Sequence, residues 1–131
     1  MIKVITTEAP IPAGHYSQAI AYKGLVFVSG QLPLDPDTGK MVEGDIEAQV
    51  RQVIHNVKAI LVASNSDLSL VLKSNIFIPD IKYWPEVNRI YAEVFGEHHR
   101  PARAVIPCGP LHYDALLEMD VIAGCFDIKE L

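Results

Sequence analysis

The spacing of apolar residues changes along this chain, and the change limits the folds that the chain can adopt. From Ile46 onward the apolar residues recur every three or four positions, which is the spacing of one face of an α-helix. A second stripe of this kind runs through 87–95. The segments around these stripes are rich in β-branched and aromatic residues and are bounded by Gly, Pro, Asn or Asp, a pattern typical of strands. The predicted buried helix positions are Ile46, Val50, Val53, Ile54, Val57, Ile60, Leu61, Val87, Ile90, Tyr91, Val94 and Phe95.

Local signals indicate where both helices begin and end. Asp45 is suited to cap the N-terminus of the first helix, and the sequence SNSD at 64–67 should end it. In the second helix Pro85 is tolerated in the first turn, and Gly96 is suited to stop the helix. We expect strands at 3–6, in both arms of a hairpin over 17–30 that turns at YKG, at 70–80, at 103–107 and at about 114–126.

The predicted elements follow the order β-β-β-α-β-α-β-β within one domain that spans residues 1–131. This order belongs to the α+β class, and a single sheet with two helices packed on one face satisfies it. The other face of the sheet is then uncovered, and its residues are not very polar. We therefore expect self-association to bury that face.

Charge and composition exclude several kinds of partner and compartment. The chain has a net charge of −5 and no stripe of Lys and Arg, so we expect no nucleic-acid partner. No segment is apolar over the length of a membrane span, and the first residues lack the features of a signal peptide. Cys108 and Cys125 cannot form a disulfide framework and do not have metal-binding spacing. These features favour a cytoplasmic protein with reduced thiols, or a mitochondrial one if a presequence has been removed.

Two charged residues, Arg103 and Glu118, stand inside apolar strand segments near the end of the chain. Charges in such places are costly unless they are paired or functional. If the last two strands form a hairpin around 108–113 with Pro107 opposite Asp114, Arg103 lies opposite Glu118 and the two interact across the strands. They then form either an ion pair on a half-exposed sheet or a small anion site. In such a site arginine would bind a carboxylate, and glutamate would position or deprotonate a water molecule.

Patterns for several other chemistries are missing. The sequence contains no G-x-G-x-x-G, Walker, H-E-x-x-H or G-x-S-x-G motif. His98 and His99 are adjacent at the end of the second helix, so their side chains diverge and make a poor pair of metal ligands. We expect them to complement the helix C-terminus, and we expect no bound metal. Neither Ser17 nor Ser29 belongs to a catalytic triad that the sequence can identify.

Four segments together carry a resemblance to a known family. They are GHYSQAI at 14–20, FVSGQLPLDPDTG at 27–39, VNRIYAEVF at 87–95, and RPARAVIP with LLEMDVIA between 100 and 123. The chain resembles the Rid family, also called YjgF/YER/liver perchloric-acid-soluble protein, and within it the RidA-type members. The resemblance implies a chorismate-mutase-like fold and a homotrimer with a barrel-like core, active sites between subunits and no cofactor. It also implies hydrolysis of enamine and imine acids, such as 2-aminoacrylate, 2-iminopropanoate and 2-iminobutanoate, to 2-keto acids and ammonia.

The resemblance assigns roles to individual residues of this chain. Arg103, in the P-A-R motif, corresponds to the arginine that binds the substrate carboxylate, and Glu118 to the glutamate that positions water. Asp120 takes the second acidic place of the last strand. The implied substrate-binding positions are Tyr16, Ser29, Gly30, Asn88 and Val105, with backbone groups acting at Gly30 and Val105.

Simpler roles remain open for several of these positions. Tyr16 is otherwise an aromatic residue at the edge of the core with a satisfied hydroxyl, and Ser29 merely closes a strand. Gly30 is otherwise required only for its backbone conformation. Asn88 is otherwise a solvent-facing polar residue of the second helix.

The chain departs from the family pattern at three places. His15 stands where a proline is usual, Val105 where many members carry cysteine, and the sequence of 107–114 replaces a pattern that ends in Leu-Pro. The last departure borders the predicted cleft, so the size of the preferred substrate can differ. Two rival functions are a sensor that binds small carboxylates without turnover and an endoribonuclease.

Overall fold

The computed structural model of the chain describes residues 1–126, which form six strands and two α-helices in the predicted order. The strands are β1 (Ile2–Val4), β2 (Ala19–Tyr22), β3 (Leu25–Gln31), β4 (Val71–Ile78), β5 (Ala102–Pro107) and β6 (Glu118–Gly124). The helices are α1 (Ile46–Ala63) and α2 (Trp84–Phe95). The strands form one mixed sheet in the order β1-β2-β3-β6-β4-β5, in which β4 and β5 are parallel and the other neighbours are antiparallel.

The helix boundaries agree with the local signals in the sequence. The Asp45 carboxylate accepts a hydrogen bond from the backbone N–H of Ala48 at 3.2 Å, which caps α1. Pro85 occupies the first turn of α2, and Gly96 ends that helix with a φ of 86° that favours glycine. No helix within residues 1–126 is long and apolar enough to cross a membrane.

Both helices cover the same face of the sheet, and the core lies between the two layers. On β6 the side chains of Met119, Val121 and Ala123 are buried on this face. They meet the buried stripe of α1, whose residues include Val53 and Val57. Alternation along the strand therefore sends Glu118, Asp120 and Ile122 to the other face.

The open face of the sheet carries an apolar row that runs across several strands. Ile20, Phe27 and Ile122 lie side by side on β2, β3 and β6. Phe27 is 43% exposed and is not covered by either helix. Burial of this row by another copy of the chain stays a prediction. The exposed aromatic and aliphatic side chains would supply a hydrophobic driving force for it.

The predicted hairpin between the last two strands is wrong. β5 pairs only with β4 among the described strands, in parallel, and β6 lies between β3 and β4. The reason is the crossover through α2, which brings the next strand to the free edge of β4 in parallel orientation. Arg103 is therefore aligned with Ser74, not with Glu118, which is aligned with Phe77.

The last strand also begins later than predicted. It starts at Glu118, whereas we expected about Asp114. Residues 112–114 form a short 3₁₀ turn, in which Tyr113 has a φ of 61° and Asp114 a φ of 55°. Backbone in this left-handed region cannot extend a strand, so the loop turns before the strand begins.

Candidate active site

The site residues predicted from the sequence fall into two groups, one on each face of the sheet. The first group surrounds Arg103 on the face that packs against the helices. Its guanidinium Nη2 donates a hydrogen bond to Asn88 Oδ1 at 2.9 Å and lies 4.9 Å from the centre of the Tyr91 ring. The indole of Trp84 is 5.9 Å away. Aromatic faces stabilise a guanidinium without neutralising its charge.

Arg103 is held in place but is not neutralised within the chain. No carboxylate of residues 1–126 forms an ion pair with it. The ion pair between Arg103 and Glu118 that the sequence suggested as a simple structural role is therefore absent from this part of the chain. A half-buried guanidinium with one neutral hydrogen-bond partner retains donors for a bound anion.

Helix α2 fixes the two residues that hold Arg103. Asn88 and Tyr91 are three residues apart, so both side chains project from one side of the helix. The Tyr91 hydroxyl shares a 2.8 Å hydrogen bond with the Ser74 hydroxyl, and its ring stacks on Phe95 with a centroid distance of 4.3 Å. Burial raises the pKa of Tyr91, so this phenol stays protonated.

A wide cavity opens beside Arg103 between α2 and the segment that leads into β5. Its volume is about 790 Å³, and its walls include Asn88, Tyr91, His99 and Arg100. The Nε2 atom of His99 is buried, and no group of residues 1–126 hydrogen-bonds to it. This volume is far more than a small carboxylic acid of three or four carbon atoms occupies.

The second group surrounds Glu118 on the open face. Glu118 packs directly against Gly30, where an added Cβ would lie 2.7 Å from the carboxylate Oε2. The register between β3 and β6 shifts between Val28 and Gln31, so two residues of β3, Ser29 and Gly30, stand against one residue of β6. This bulge and the missing side chain together make room for the Glu118 carboxylate.

Tyr16 reaches the same place from the loop before β2. It lines a cavity of about 50 Å³ with Gly30, His112 and Tyr113. The buried amide of Gln18 fixes this loop, because it accepts a hydrogen bond from the Thr6 N–H at 2.7 Å and donates one to the Thr6 carbonyl at 2.9 Å. Tyr16 itself is 51% exposed, and its hydroxyl accepts a 3.3 Å hydrogen bond from the Ala13 N–H.

Three other predicted positions have clear structural contacts. The Ser29 hydroxyl donates a 2.6 Å hydrogen bond to the Ser17 carbonyl, so it anchors the loop that carries Tyr16. Val105 lies on the helix side of β5, aligned with buried Ile76, and its side chain packs against the core. Asn88 is half-buried against Arg103 and is not simply solvent-facing.

The charges near Glu118 act in opposite directions. Burial raises the pKa of the Glu118 carboxyl, and the negative charge of Asp120 raises it further, while the charge of His112 lowers it. Asp120 accepts a 2.9 Å hydrogen bond from the Asn75 amide. A carboxyl with a raised pKa is a better proton acceptor, which suits a general base.

Sequence reasoning predicted Tyr16 but missed the other aromatic residues, which are Tyr91 and Trp84 beside Arg103 and His112 and Tyr113 in the cavity beside Tyr16. Tyr91 was assigned only to the buried stripe of α2, although its spacing from Asn88 places both side by side. His112 and Tyr113 were treated only as part of a divergent loop, because no glycine marks the left-handed turn. Within residues 1–126, no three His, Cys, Asp or Glu side chains are grouped so that they could hold a metal ion.

Comparison with known proteins places the chain in a family. Residues 6–125 match the family model described as Endoribonuclease L-PSP. The yeast protein "MMF1, mitochondrial" from Saccharomyces cerevisiae is 44% identical over 120 residues, covering 92% of this chain and 81% of the relative. The solved structure of YyfA from Yersinia pestis, a protein of the conserved Rid family, has a TM-score of 0.90 and 42% identity, covering 94% and 98% of the two chains. E. coli TdcF with bound serine has a TM-score of 0.90 and 33% identity, covering 95% and 98%.

These matches cover more than nine-tenths of this chain and at least 81% of each relative, and the two solved structures share its fold. The chain therefore belongs to the Rid (YjgF) family, whose family model carries the description Endoribonuclease L-PSP.

Proposed function

We propose that this protein hydrolyses small 2-imino acids and their enamine tautomers to 2-keto acids and ammonia. The substrates are of the class of 2-aminoacrylate, 2-iminopropanoate and 2-iminobutanoate. The observation that carries the proposal is Arg103, a half-buried guanidinium that is held by Asn88 and Tyr91 and pairs with no carboxylate of residues 1–126. A guanidinium presents a planar fork of hydrogen-bond donors, and one that is not paired with a carboxylate of its own chain suits a substrate carboxylate.

The proposal includes a homotrimer in which each active site lies between two subunits. Arg103 points to the helix side of the sheet and Glu118 to the open side, so one copy cannot direct both at the same small molecule. A second copy whose open face packs beside α2 and β5 of the first would bring Glu118, Tyr16 and Gly30 to the Arg103 cavity. It would also cover apolar residues such as Phe27, which gives the assembly a driving force.

The proposed reaction needs only positioning and one proton acceptor. Arg103 binds the carboxylate, and Glu118 takes a proton from a water molecule as the water oxygen attacks the iminium carbon. The product of this step is a neutral carbinolamine and a protonated Glu118. Glu118 then returns the proton to the amine nitrogen, and the C–N bond breaks as the hydroxyl gives its proton to the Glu118 carboxylate and the carbonyl forms. Ammonia takes this proton from Glu118 and leaves as ammonium, which restores the ionised base. Because imines also hydrolyse in water, oriented binding alone gives a useful acceleration.

The comparison with TdcF supports the choice of ligand. The TdcF structure contains bound serine, which is a three-carbon acid with a nitrogen on its second carbon. An imino acid of three or four carbons has the same carboxylate and nearly the same size. We expect the activity in the cytoplasm, and the name of the yeast relative makes the mitochondrion the alternative compartment.

A coupled assay tests the proposal. A serine or threonine dehydratase generates the imine in the presence of limiting semicarbazide, which traps it. The purified protein should divert the imine to keto acid, and Arg103→Ala should abolish this diversion. Arg51→Ala is the matched control, because Arg51 is an exposed arginine of α1 that pairs with Glu47 and Glu93. If Arg103→Ala diverts the imine as well as the wild type does, the proposal is wrong.

Two alternatives are separated by this assay together with an RNA-cleavage assay and a ligand-binding measurement. The description of the family model favours an endoribonuclease as the second candidate. The net charge of −5 counts against it, because RNA binding needs clustered positive charge. If the wild type cleaves RNA after extensive purification and ignores the imine, the endoribonuclease replaces the proposed function. If it binds serine or 2-ketobutanoate without turnover of either substrate, a carboxylate sensor replaces it.

A further inference from the structure

A buried serine interrupts an apolar row on the helix side of β4. The next two residues of this row are Ile76 and Ile78, whereas Ser74 carries a hydroxyl and is fully buried. A buried hydroxyl costs free energy unless it has a hydrogen-bond partner, and alanine would pack there without that cost. Ser74 is also the register partner of Arg103 in the parallel pair of β4 and β5. The hydroxyl in this row thus lies beside the residue proposed to bind the substrate carboxylate.

The Ser74 hydroxyl is linked to Arg103 through one aromatic residue. It hydrogen-bonds to the hydroxyl of Tyr91 on α2 at 2.8 Å. The guanidinium of Arg103 lies over the ring of this same tyrosine, with Cζ 4.9 Å from the ring centre. The three side chains therefore form one group, in which the sheet brings Ser74 and Arg103 side by side and α2 supplies the ring that contacts both.

The plane of the Arg103 guanidinium needs more than one contact to be fixed. The 2.9 Å hydrogen bond from Nη2 to Asn88 Oδ1 holds one nitrogen, and the group can still turn about that contact. The Tyr91 ring supplies a flat surface on which a planar guanidinium rests. The ring is held in turn at two places, because Phe95 stacks on it and Ser74 holds its hydroxyl end. The orientation of Arg103 therefore depends on a hydrogen bond that Arg103 does not itself make.

We propose that Ser74 is a positioning residue of the site: through the Tyr91 hydroxyl it fixes the ring that sets the plane of the Arg103 guanidinium, so that the remaining donors face the substrate carboxylate. The inference rests on the proposed function, since it concerns the carboxylate anchor of that reaction. Ser74 and Tyr91 are buried within a single chain, so this anchor is formed before a second copy adds Glu118. Donors that are fixed in advance lose less entropy on binding, which favours affinity for the substrate.

A purely structural role for the pair predicts a different result. In that role Ser74 and Tyr91 only satisfy each other's hydroxyl in the core, and removing both hydroxyls together should be nearly neutral. The double variant Ser74→Ala/Tyr91→Phe keeps the aromatic ring and leaves no hydroxyl unpaired, so it should fold with about wild-type stability under either role. It separates the two roles because only the positioning role predicts weaker carboxylate binding.

Kinetics with the imine and calorimetric binding of 2-ketobutanoate test the inference. In the double variant, KM and the Kd of 2-ketobutanoate should each rise by roughly threefold to tenfold. The kcat should stay close to that of the wild type, because Arg103 holds the carboxylate equally in the ground state and the transition state. Ser74→Thr, which keeps the hydroxyl, should behave like the wild type.

Ser64→Ala is the matched control for the loss of a buried serine hydroxyl. The Ser64 hydroxyl donates a 2.7 Å hydrogen bond to the Ile60 carbonyl at the end of α1. Ser64 has no contact with the group around Arg103 among the hydrogen bonds of residues 1–126. Its replacement should leave KM, kcat and Kd unchanged, whatever it does to stability.

Wild-type KM and Kd in the folded double variant overturn the inference and leave the proposed function intact. A fall in kcat alone also overturns it, since the carboxylate would then be held normally. If the double variant does not fold, Tyr91→Phe alone, which also breaks the hydrogen bond to Ser74, decides by the same criterion. If the wild type turns over no imine, the proposed function fails, and a weaker Kd in the variant still supports the inference. A wild type that binds no 2-ketobutanoate overturns it, because Arg103 then anchors no carboxylate.

Discussion

Arg103 and Glu118 lie on opposite faces of the same sheet, and strand β4 separates the strands that carry them. Arg103 is aligned with Ser74, whose hydroxyl meets Tyr91 of α2, whereas Glu118 is aligned with Phe77 on the face that the helices leave open. The two residues that the proposed chemistry needs therefore cannot meet inside one subunit. In the proposed trimer each belongs to a half-site, and a neighbouring copy of the chain completes it.

Replacing Glu118 by Gln should remove the base while stabilising the fold at neutral pH. Turnover should fall by roughly 10² to 10⁴, the usual contribution of a general base. Burial and Asp120 raise the pKa of Glu118 in the folded state above its ordinary value of 4.5, so the ionised carboxylate costs stability above the raised pKa. That cost is lost as the pH falls through the raised pKa and below 4.5, because the carboxyl is then protonated in the folded and in the unfolded protein.

Thermal unfolding at two pH values checks the stability half of this prediction. Glu118→Gln should unfold at a higher temperature than the wild type at pH 7.5, and the difference should vanish below pH 4.5. Glu43→Gln, at an exposed site before α1, is the control. A variant that is less stable than the wild type at pH 7.5 would show that the carboxylate is favourably paired in the protein.

Gly30→Ala should damage the site through Glu118. The new methyl group would lie 2.7 Å from Oε2 and 3.0 Å from the carboxyl carbon, so the carboxylate must move. We expect at least a tenfold loss of kcat/KM and a destabilisation of about 1 to 3 kcal/mol from overpacking. Gly124→Ala at the end of β6 is the matched control, because its new Cβ would meet its nearest atom at 4.0 Å. Equal turnover in the two variants would remove Gly30 from the site.

Phe27→Asp should dissociate the proposed trimer. The ring lies between Ile20 and Ile122 on the open face, and a carboxylate there would have to be buried without a partner in the assembly. Light scattering should find a monomer. The coupled assay should find no turnover, although Arg103 and Glu118 are unchanged. Tyr22→Asp, at the exposed end of β2, serves for comparison, and its smaller effect would locate the interface. A trimeric, active Phe27→Asp protein would contradict burial of this row.

Local interactions explain how much of the fold the sequence could predict. The Asp45 carboxylate and the Gly96 backbone set helix ends through contacts within a few residues, so both ends were predicted correctly. Lys23 and Gly24 both have positive φ and form the tight turn expected between β2 and β3. The existence of β5 and β6 was also clear from their apolar runs.

Strand pairing could not be predicted in the same way. Residues 108–117 contain nothing that distinguishes a hairpin from a chain that passes over β4, because the choice depends on which sheet edge is free after α2 docks. Pairing Arg103 with Glu118 in a hairpin put both on one face, whereas the actual topology puts them on opposite faces. The stacked His112 and Tyr113 were missed for a similar reason, since two successive left-handed residues without glycine leave no sequence signal.

Mixed oligomers test the central claim most directly. Arg103→Ala and Glu118→Gln should each be inactive alone. When the two are co-expressed in equal amounts and assemble at random, a site that takes Arg103 from one subunit and Glu118 from the next is intact in about one case in four. The account predicts that the mixture recovers about a quarter of wild-type turnover per site. If the mixture stays as inactive as the separate variants while its subunits exchange, the two residues do not act together across an interface, and the account is wrong.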